Sequence, residues 1–172
     1  VGFIVYFLFM RQSLRELNPD AVIPERVRKA LNTLSEGILI IDNEGYIVFS
    51  NQAFAQKTGM TPEQLVGKES GSLGWENDLD TQDKAQLPWF RALRGEDVPN
   101  YIRLRLVNSL KVSYSFTVSV SPITTTENDI SGVLVTFDDM TEIEIKNDEL
   151  SRAVSKLENT QREVSKQNKK LQ

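Results

Sequence analysis

The residue types that most often carry out chemistry are sparse in this sequence of 172 residues, which contains no cysteine and no histidine. Thiolate nucleophiles, serine–histidine relays, disulfides and Cys or His metal sites are therefore excluded for this segment. The nearest approach to a catalytic pair is the run of two carboxylates at Asp138 and Asp139. Neighbouring residues of a strand point to opposite faces of a sheet, so these carboxylates are not expected to share a site. The sequence predicts no enzymatic activity for this fragment.

The charge balance argues against a nucleic-acid partner. The chain carries 20 Lys and Arg against 24 Asp and Glu, a formal net charge of −4. Proteins that bind nucleic acid usually carry an excess of basic residues, because these neutralise the phosphates. With 40% hydrophobic residues the chain has sufficient apolar material for one packed domain with extensions.

Five strands are predicted from hydrophobic periodicity, at 38–41, 46–49, 102–106, 112–121 and 132–137. The third and fourth alternate strictly between apolar and polar residues, as strands with one buried face do. The first and last are apolar throughout, which is typical of central strands. Short helices are predicted between the second and third strands, while residues 67–83 show no periodicity and indicate a surface loop. The pattern predicts an α+β domain with its helices on one face of a single sheet.

The N-terminal residues predict contact with a membrane. Residues 1–10 are wholly apolar and are followed by Arg11 and Arg15, as at the cytoplasmic end of a transmembrane helix. The alternative is a buried strand or core helix. Residues 11–27 are assigned to a juxtamembrane, N-terminal amphipathic helix that runs to about residue 36, with Ile23, Val27 and Leu31 on one face. These features place the domain on the cytoplasmic side of the inner (plasma) membrane.

A heptad pattern occupies residues 141–172 and predicts a signalling coiled coil that pairs the chain with a second copy. The d positions are apolar, whereas the a positions are mostly polar and so specify register at a cost in stability. The predicted seam consists of Ile143, Asn147, Leu150, Val154, Leu157, Gln161, Val164, Asn168 and Leu171.

Two motifs give the chain a resemblance to a known family. Residues 36–42 (Glu-Gly-Ile-Leu-Ile-Ile-Asp) through Asn51-Gln52-Ala53-Phe54 resemble the opening of a PAS sensor domain. Asp139-Met140-Thr141 is similar to the Asp-x-Thr signature that ends such domains before their output helix. The resemblance implies a PAS domain over residues 28–140. Its five antiparallel strands would lie in the order 2-1-5-4-3, with short helices enclosing a cavity for a small-molecule ligand.

The end of the predicted domain is the expected point of signal coupling. Thr141, with Glu144 three residues later, predicts a capping box that starts the output helix. Asp139 is expected to accept hydrogen bonds near the positive end of that helix. Such a join would transmit changes in the last strand into the helix, whereas the simpler alternative is an ordinary strand-to-helix turn.

The identity of any cofactor stays open at this point. The absence of cysteine and histidine excludes the cysteinyl–flavin adduct and the histidine-ligated haem that other members of the resembled family use. Trp75 and Trp89 are candidates to stack on a non-covalent flavin, with packing in the core as the alternative. A small metabolite and a core filled by side chains are the other options.

The linker after the predicted domain is similar to linkers that precede GGDEF diguanylate cyclase domains. The resemblance therefore implies a bacterial, membrane-bound signalling protein in which the module regulates a downstream catalytic domain. The alternatives are a sensor histidine kinase and a scaffold that dimerises without binding a ligand.

Overall fold

A computed structural model describes residues 23–76, 84–126 and 129–170, with the backbone alone given for 163–165 and 167–170. It divides into two compact units, with the boundary between Asp139 and Met140. The predicted membrane segment at 1–10 and the following residues up to 22 lie outside the described ranges. Within those ranges, no helix has the length and apolar character needed to cross a membrane.

The elements follow one another in the order predicted, with one additional strand. The chain forms α1 (Glu25–Asn32), β1 (Gly37–Asp42), β2 (Ile47–Ser50), α2 (Gln52–Thr58), α3 (Pro62–Leu65), β3 (Trp75–Glu76), α4 (Pro88–Leu93), β4 (Ile102–Val107), β5 (Ser113–Thr124), β6 (Ile130–Asp139) and α5 (Thr141–Lys170). Single 3-10 turns lie at Ser70–Ser72 and Lys84–Gln86.

The strands form one antiparallel sheet in the order β2-β1-β6-β5-β4-β3. The α+β class and the relative order of the five predicted strands are confirmed. The sixth strand, β3, was predicted as loop; it consists of two residues, Trp75 and Glu76, paired with Leu106 and Arg105. A strand this short cannot produce a hydrophobic period, so the sequence pattern does not reveal it.

The two faces of the sheet differ in what covers them. The inner face, under α2, α3 and α4, carries the main core, to which β6 contributes Val133, Val135 and Phe137. On the outer face, Ile38 and Phe49 form a smaller cluster with Ile23 and Leu31 of the N-terminal segment. The rest of the outer face, on β4 and β5, is polar.

Helix α1 ends earlier than predicted. It ends at Asn32 rather than near residue 36, and the Thr33 hydroxyl donates to the Ala30 carbonyl at 2.7 Å. The Thr33 N–H also donates to the Ala30 carbonyl, and the Leu34 N–H donates to the Leu31 carbonyl, so carbonyls of the last turn are bonded where the helix ends. Its predicted apolar face is only partly covered, since 46% of Val27 and 47% of Leu34 remain exposed.

Two helices on the inner face, α2 and α3, begin at residues whose side chains cap them. Asn51 caps α2 by accepting a hydrogen bond from the Phe54 N–H at 3.1 Å. Thr61 and Gln64 form a capping box at the start of α3, with Pro62 at the first helical position. Gly59 ends α2 in the left-handed conformation at φ 76°, which glycine adopts without steric cost.

Candidate functional site

An aromatic cluster occupies the space between the inner face of the sheet and the helices. Phe137 of β6 lies at its centre, 4.5 Å from the ring of Phe54 and 5.5 Å from that of Trp75. Trp89 of α4 meets Trp75 edge-on at 5.0 Å, and Phe116 lies 5.6 Å from Phe137. These rings come from separate elements, so the cluster joins α2, α4 and the central strands.

Both tryptophans proposed as stacking residues belong to this cluster. Trp89 is fully buried, and its Nε1–H has no hydrogen-bond partner among the described residues. Trp75 is partly exposed and donates from Nε1 to the Ser70 carbonyl at 2.8 Å. Both indoles pack against neighbouring rings. This packing corresponds to the alternative to flavin stacking, in which the tryptophans are part of the core. A flavin could stack on Trp89 only if those neighbours moved apart.

An open pocket of about 340 Å³ lies beside the cluster, between the end of α2 and β4. Its volume falls in the range of sites for small metabolites. The exposed Lys68 contributes a positive charge, and Leu73 and Leu106 contribute apolar surface. The remaining lining residues are Thr58, Met60, Ser72, Gly74, Val107, Asn108 and Ser109. The pocket is open to solvent, and its lining includes no ring of the aromatic cluster.

Asp139, at the end of β6, is bonded on the inner face of the sheet. Its carboxylate forms an ion pair with the Lys57 ammonium of α2, and that ammonium lies 4.9 Å from the ring centroid of Tyr114. Asp139, Lys57 and Tyr114 are called the junction cluster below. The Lys57 and Asp139 side chains are 35% and 29% exposed, so solvent reduces the strength of this pair. Asp138 points to the opposite, exposed face, as the alternation of a strand requires.

A second contact connects the junction cluster to the β4–β5 hairpin. The Asn108 side chain donates to the Lys57 carbonyl at 3.2 Å and accepts from the N–H groups of Leu110 and Val112. The last turn of α2 is therefore bonded both to β6 and to the hairpin turn. The sequence pattern did not indicate Lys57, Tyr114 or Asn108, because the contacts of Lys57 with Asp139, Tyr114 and Asn108 join positions that are distant in the chain.

The start of α5 differs by one position from the prediction. The first helical hydrogen bond runs from the Glu144 N–H to the Met140 carbonyl at 2.9 Å. Met140 is therefore the N-cap, and Thr141 is the first residue of the helix rather than the residue before it. Glu142 and Glu144 place negative charge in the first turn, where it interacts favourably with the positive end of the helix dipole.

The described residues of the predicted seam on α5 are exposed to solvent in the single chain. Among its d residues, Ile143, Leu150 and Leu157 are 50%, 63% and 70% exposed, and Val154 at an a position is 46% exposed. Asn147 and Gln161 are exposed as well. The side chains of Val164 and Asn168, and the whole of Leu171, lie outside the description.

The family model described as "PAS domain" matches residues 35–142. The chain belongs to the PAS domain family. The resemblance on which this was predicted is therefore confirmed, and the described fragment is a sensory domain rather than a catalytic one. No curated protein matches the chain.

Solved structures with the PAS fold resemble the chain at low sequence identity. The PAS domain of a protein from Colwellia psychrerythraea has 17% identity and a TM-score of 0.56, over 69% of this chain and 97% of that one. The PAS domain of nitrogen regulation protein NR(II) from Vibrio parahaemolyticus has 21% identity and a TM-score of 0.50, over 65% and 95%. An RNA-binding light-oxygen-voltage receptor has 19% identity and a TM-score of 0.58, over 84% and 40%. At these identities the likeness establishes the fold alone.

Proposed function

We propose that this PAS domain is a sensory and dimerisation module that transmits its signal through α5 to a downstream diguanylate cyclase domain. The observation that carries the proposal is the join at Met140, which alone separates β6 from α5. Asp139, the residue before it, is bonded to Lys57 of α2. A change in the helices over the sheet therefore has a short, bonded route to the start of the output helix.

The module works as part of a homodimer on the cytoplasmic side of the inner membrane, anchored through residues 1–10. The exposed apolar residues of α5 support pairing with a second copy, because a heptad seam buries such residues. To shift a two-state equilibrium by about 2.7 kcal/mol, a ligand must prefer one state about 100-fold. The polar a positions weaken the pairing of two α5 helices. A free energy of about 2.7 kcal/mol is therefore sufficient to shift the equilibrium between two arrangements of the pair.

Helix pairing is tested by changing the seam. We expect the double variant Leu150→Lys and Leu157→Lys to raise the dimer dissociation constant at least tenfold, because charges replace apolar d residues. Analytical ultracentrifugation of the full chain in mild detergent measures this change. The matched control places lysines at Ser155 and Asn159, which lie at the b and f positions on the far side of the helix from the seam. An unchanged dissociation constant for the d-position variant would contradict pairing through α5.

Coupling through the junction cluster is tested by Lys57→Met, which keeps the length of the side chain and removes the charge. The pair is partly exposed, so we expect the free energy of unfolding to fall by no more than about 1 kcal/mol. Amide exchange at residues 141–146 should become faster because Asp139 loses its anchor. Lys57→Arg serves as the control that retains the ion pair. Unaltered exchange at 141–146 would remove Lys57 from the coupling route.

The activity of the full-length protein distinguishes the proposed cyclase from a histidine kinase. Conversion of GTP to cyclic diguanylate supports the cyclase, whereas transfer of phosphate from ATP to a histidine supports a histidine kinase. A ligand-silent scaffold is the third candidate, and the filled aromatic cluster favours it over a flavin sensor. Native mass spectrometry of the freshly purified chain distinguishes a scaffold from a ligand-binding sensor, because a bound small molecule would contradict the scaffold.

A further inference from the structure

A second open pocket, of about 370 Å³, lies between the β1–β2 turn and α4. It shares no lining residue with the pocket between α2 and β4. Phe90 and Leu93 of α4 supply apolar surface, and Asn43 of the β1–β2 turn supplies an amide. The charged residues of the lining are Glu44, Glu69, Lys84 and Arg94. Sites for small ligands combine apolar surface with a few polar groups in this way.

The ring of Phe90 is fixed between two glycine backbones. A Cβ atom added at Gly45 would lie 2.4 Å from the ring, and one added at Gly71 would lie 3.0 Å from it, so the ring rests directly on both backbones. The Ser70 N–H and hydroxyl both donate to the Gly45 carbonyl, at 3.0 and 2.8 Å, and join these two segments. Phe90 also lies 6.3 Å from Trp89, its neighbour in α4 and a member of the aromatic cluster. The apolar wall of the pocket is therefore in place before a ligand binds.

Two opposite charges at this pocket are available to a ligand. Within the part of the chain that the structure describes, Lys84 and Glu69 are exposed and neither forms an ion pair. The Lys84 Cβ and Cδ lie 3.5 Å from a Cβ atom added at Gly71, so the stem of this side chain packs on the same backbone as the ring. Arg94, by contrast, is bonded to Glu96. The pocket therefore offers one positive and one negative group with which a ligand can pair.

The balance of charge selects a ligand that carries both signs. A purely anionic molecule would meet the carboxylates of Glu44 and Glu69, while a purely cationic one would meet Lys84 and Arg94. Like-charge contacts of this kind disfavour binding. A free α-amino acid offsets them, since its carboxylate can pair with Lys84 and its ammonium with Glu69. An apolar side chain on the same molecule would cover the exposed surface of Phe90.

We propose that this pocket binds a free α-amino acid with an apolar side chain. The carboxylate of the ligand pairs with Lys84, its ammonium with Glu69, and its side chain packs on Phe90. The ligand thus connects Glu69 to α4, which carries Trp89 of the aromatic cluster, and gives the module an input that does not enter the core. The inference rests on the proposed sensory role, for which it names the ligand class, and requires neither the dimer nor the cyclase.

Amide resonances locate the site. The full chain, labelled with nitrogen-15 and kept in mild detergent, is titrated with L-leucine and with L-phenylalanine. We expect at least one of them to shift the amide signals of residues 43–45, 69–71 and 84–94, with a dissociation constant of about 1 mM, as for a small ligand in an open site. Shifts centred on Phe54 and Phe137 instead would place the ligand in the aromatic cluster and overturn the proposal. A lack of response to both amino acids would also overturn it.

Analogues that lack one charge test the need for both. For leucine these are isoamylamine, without the carboxylate, and isocaproate, without the ammonium; for phenylalanine they are phenethylamine and hydrocinnamate. We expect each analogue to bind about fivefold more weakly than its amino acid, because it loses one ion pair and keeps a like-charge contact. An analogue that binds as tightly as the amino acid would overturn the assignment of a zwitterion.

Removal of each charge from the protein assigns the two partners. Lys84→Met and Glu69→Gln keep the size of the side chains, and we expect each to raise the dissociation constant about fivefold, since each removes one solvent-screened ion pair. Lys68→Met is the matched control, because Lys68 is exposed and lines the other pocket, and it should leave the affinity unchanged. The amide spectra of the free variants show whether each is folded. Equal affinity in all three variants and the original chain would overturn the roles of Lys84 and Glu69.

Failure of this inference is distinguishable from failure of the proposed function. Dimerisation of the chain and conversion of GTP by the full-length protein are measured without the amino acids. A protein that dimerises and makes cyclic diguanylate but binds neither amino acid contradicts the ligand assignment alone. A protein that binds an amino acid at this pocket but does neither contradicts the proposed output and leaves the site intact.

Discussion

Replacing Asn51 by alanine is expected to lower the free energy of unfolding by about 3–4 kcal/mol. The Asn51 side chain is fully buried and takes part in four hydrogen bonds. Its Oδ1 accepts from the N–H groups of Ile38 and Phe54, at 2.8 and 3.1 Å. Its Nδ2 donates to the carbonyls of Glu36 and Leu31, at 2.8 and 3.2 Å.

The large effect arises because alanine removes the bonds that connect three elements and leaves buried N–H groups of β1 and α2 without a partner. The freed Phe54 N–H lies at the start of α2, and the freed Ile38 N–H lies in β1. Denaturation by urea, followed by circular dichroism, measures the change. Gln52→Ala alters the next, exposed side chain and should cost less than about 0.5 kcal/mol. If the two variants were equally stable, the hydrogen bonds of Asn51 would not contribute to the stability of the fold as we infer.

Replacing Phe137 by alanine is expected to cost about 3–5 kcal/mol, in the range of other buried aromatic truncations. Phe137 is 1% exposed and contacts four other rings of the aromatic cluster. The loss combines the transfer free energy of the ring with the cost of the cavity that it leaves. The same denaturation experiment measures it, and Phe137→Leu should cost clearly less because it fills most of that volume.

The cavity supplies a second readout for Phe137→Ala. A dry cavity lined by apolar side chains binds small aromatic molecules such as benzene. Adding benzene should therefore raise the melting temperature of Phe137→Ala more than that of the original chain. An equal response of both proteins would mean that the surrounding rings collapse into the space. In that case the cluster is more adaptable than its packing indicates.

The strands were predictable because their patterns are local. Alternation along residues 113–121 gave β5, and the apolar run at 132–137 gave the centre of β6. The start of α3 is equally local, since the Thr61 side chain bonds to Gln64, three positions later. Each of these signals depends on residues within one turn or one strand, which a sequence displays directly.

The contacts that define the candidate site were not predictable in this way. Lys57 and Asp139 are 82 positions apart, and nothing in their immediate sequence marks them as partners. The pairing follows from α2 lying over the end of β6, which is a consequence of the whole fold. Strand β3 was missed because two residues carry no period. Helix α1 ended early because Thr33 closes its last turn.

The alternation at the end of β6 has a consequence for regulation. Asp138 and Asp139 are consecutive, yet one faces the exposed outer side and the other is anchored on the inner side. A change on either side of the sheet therefore acts on the same short stretch of backbone. If the two changes are independent, their free energies add there. Two inputs that are each too small to shift the equilibrium alone then shift it together, as in a coincidence detector.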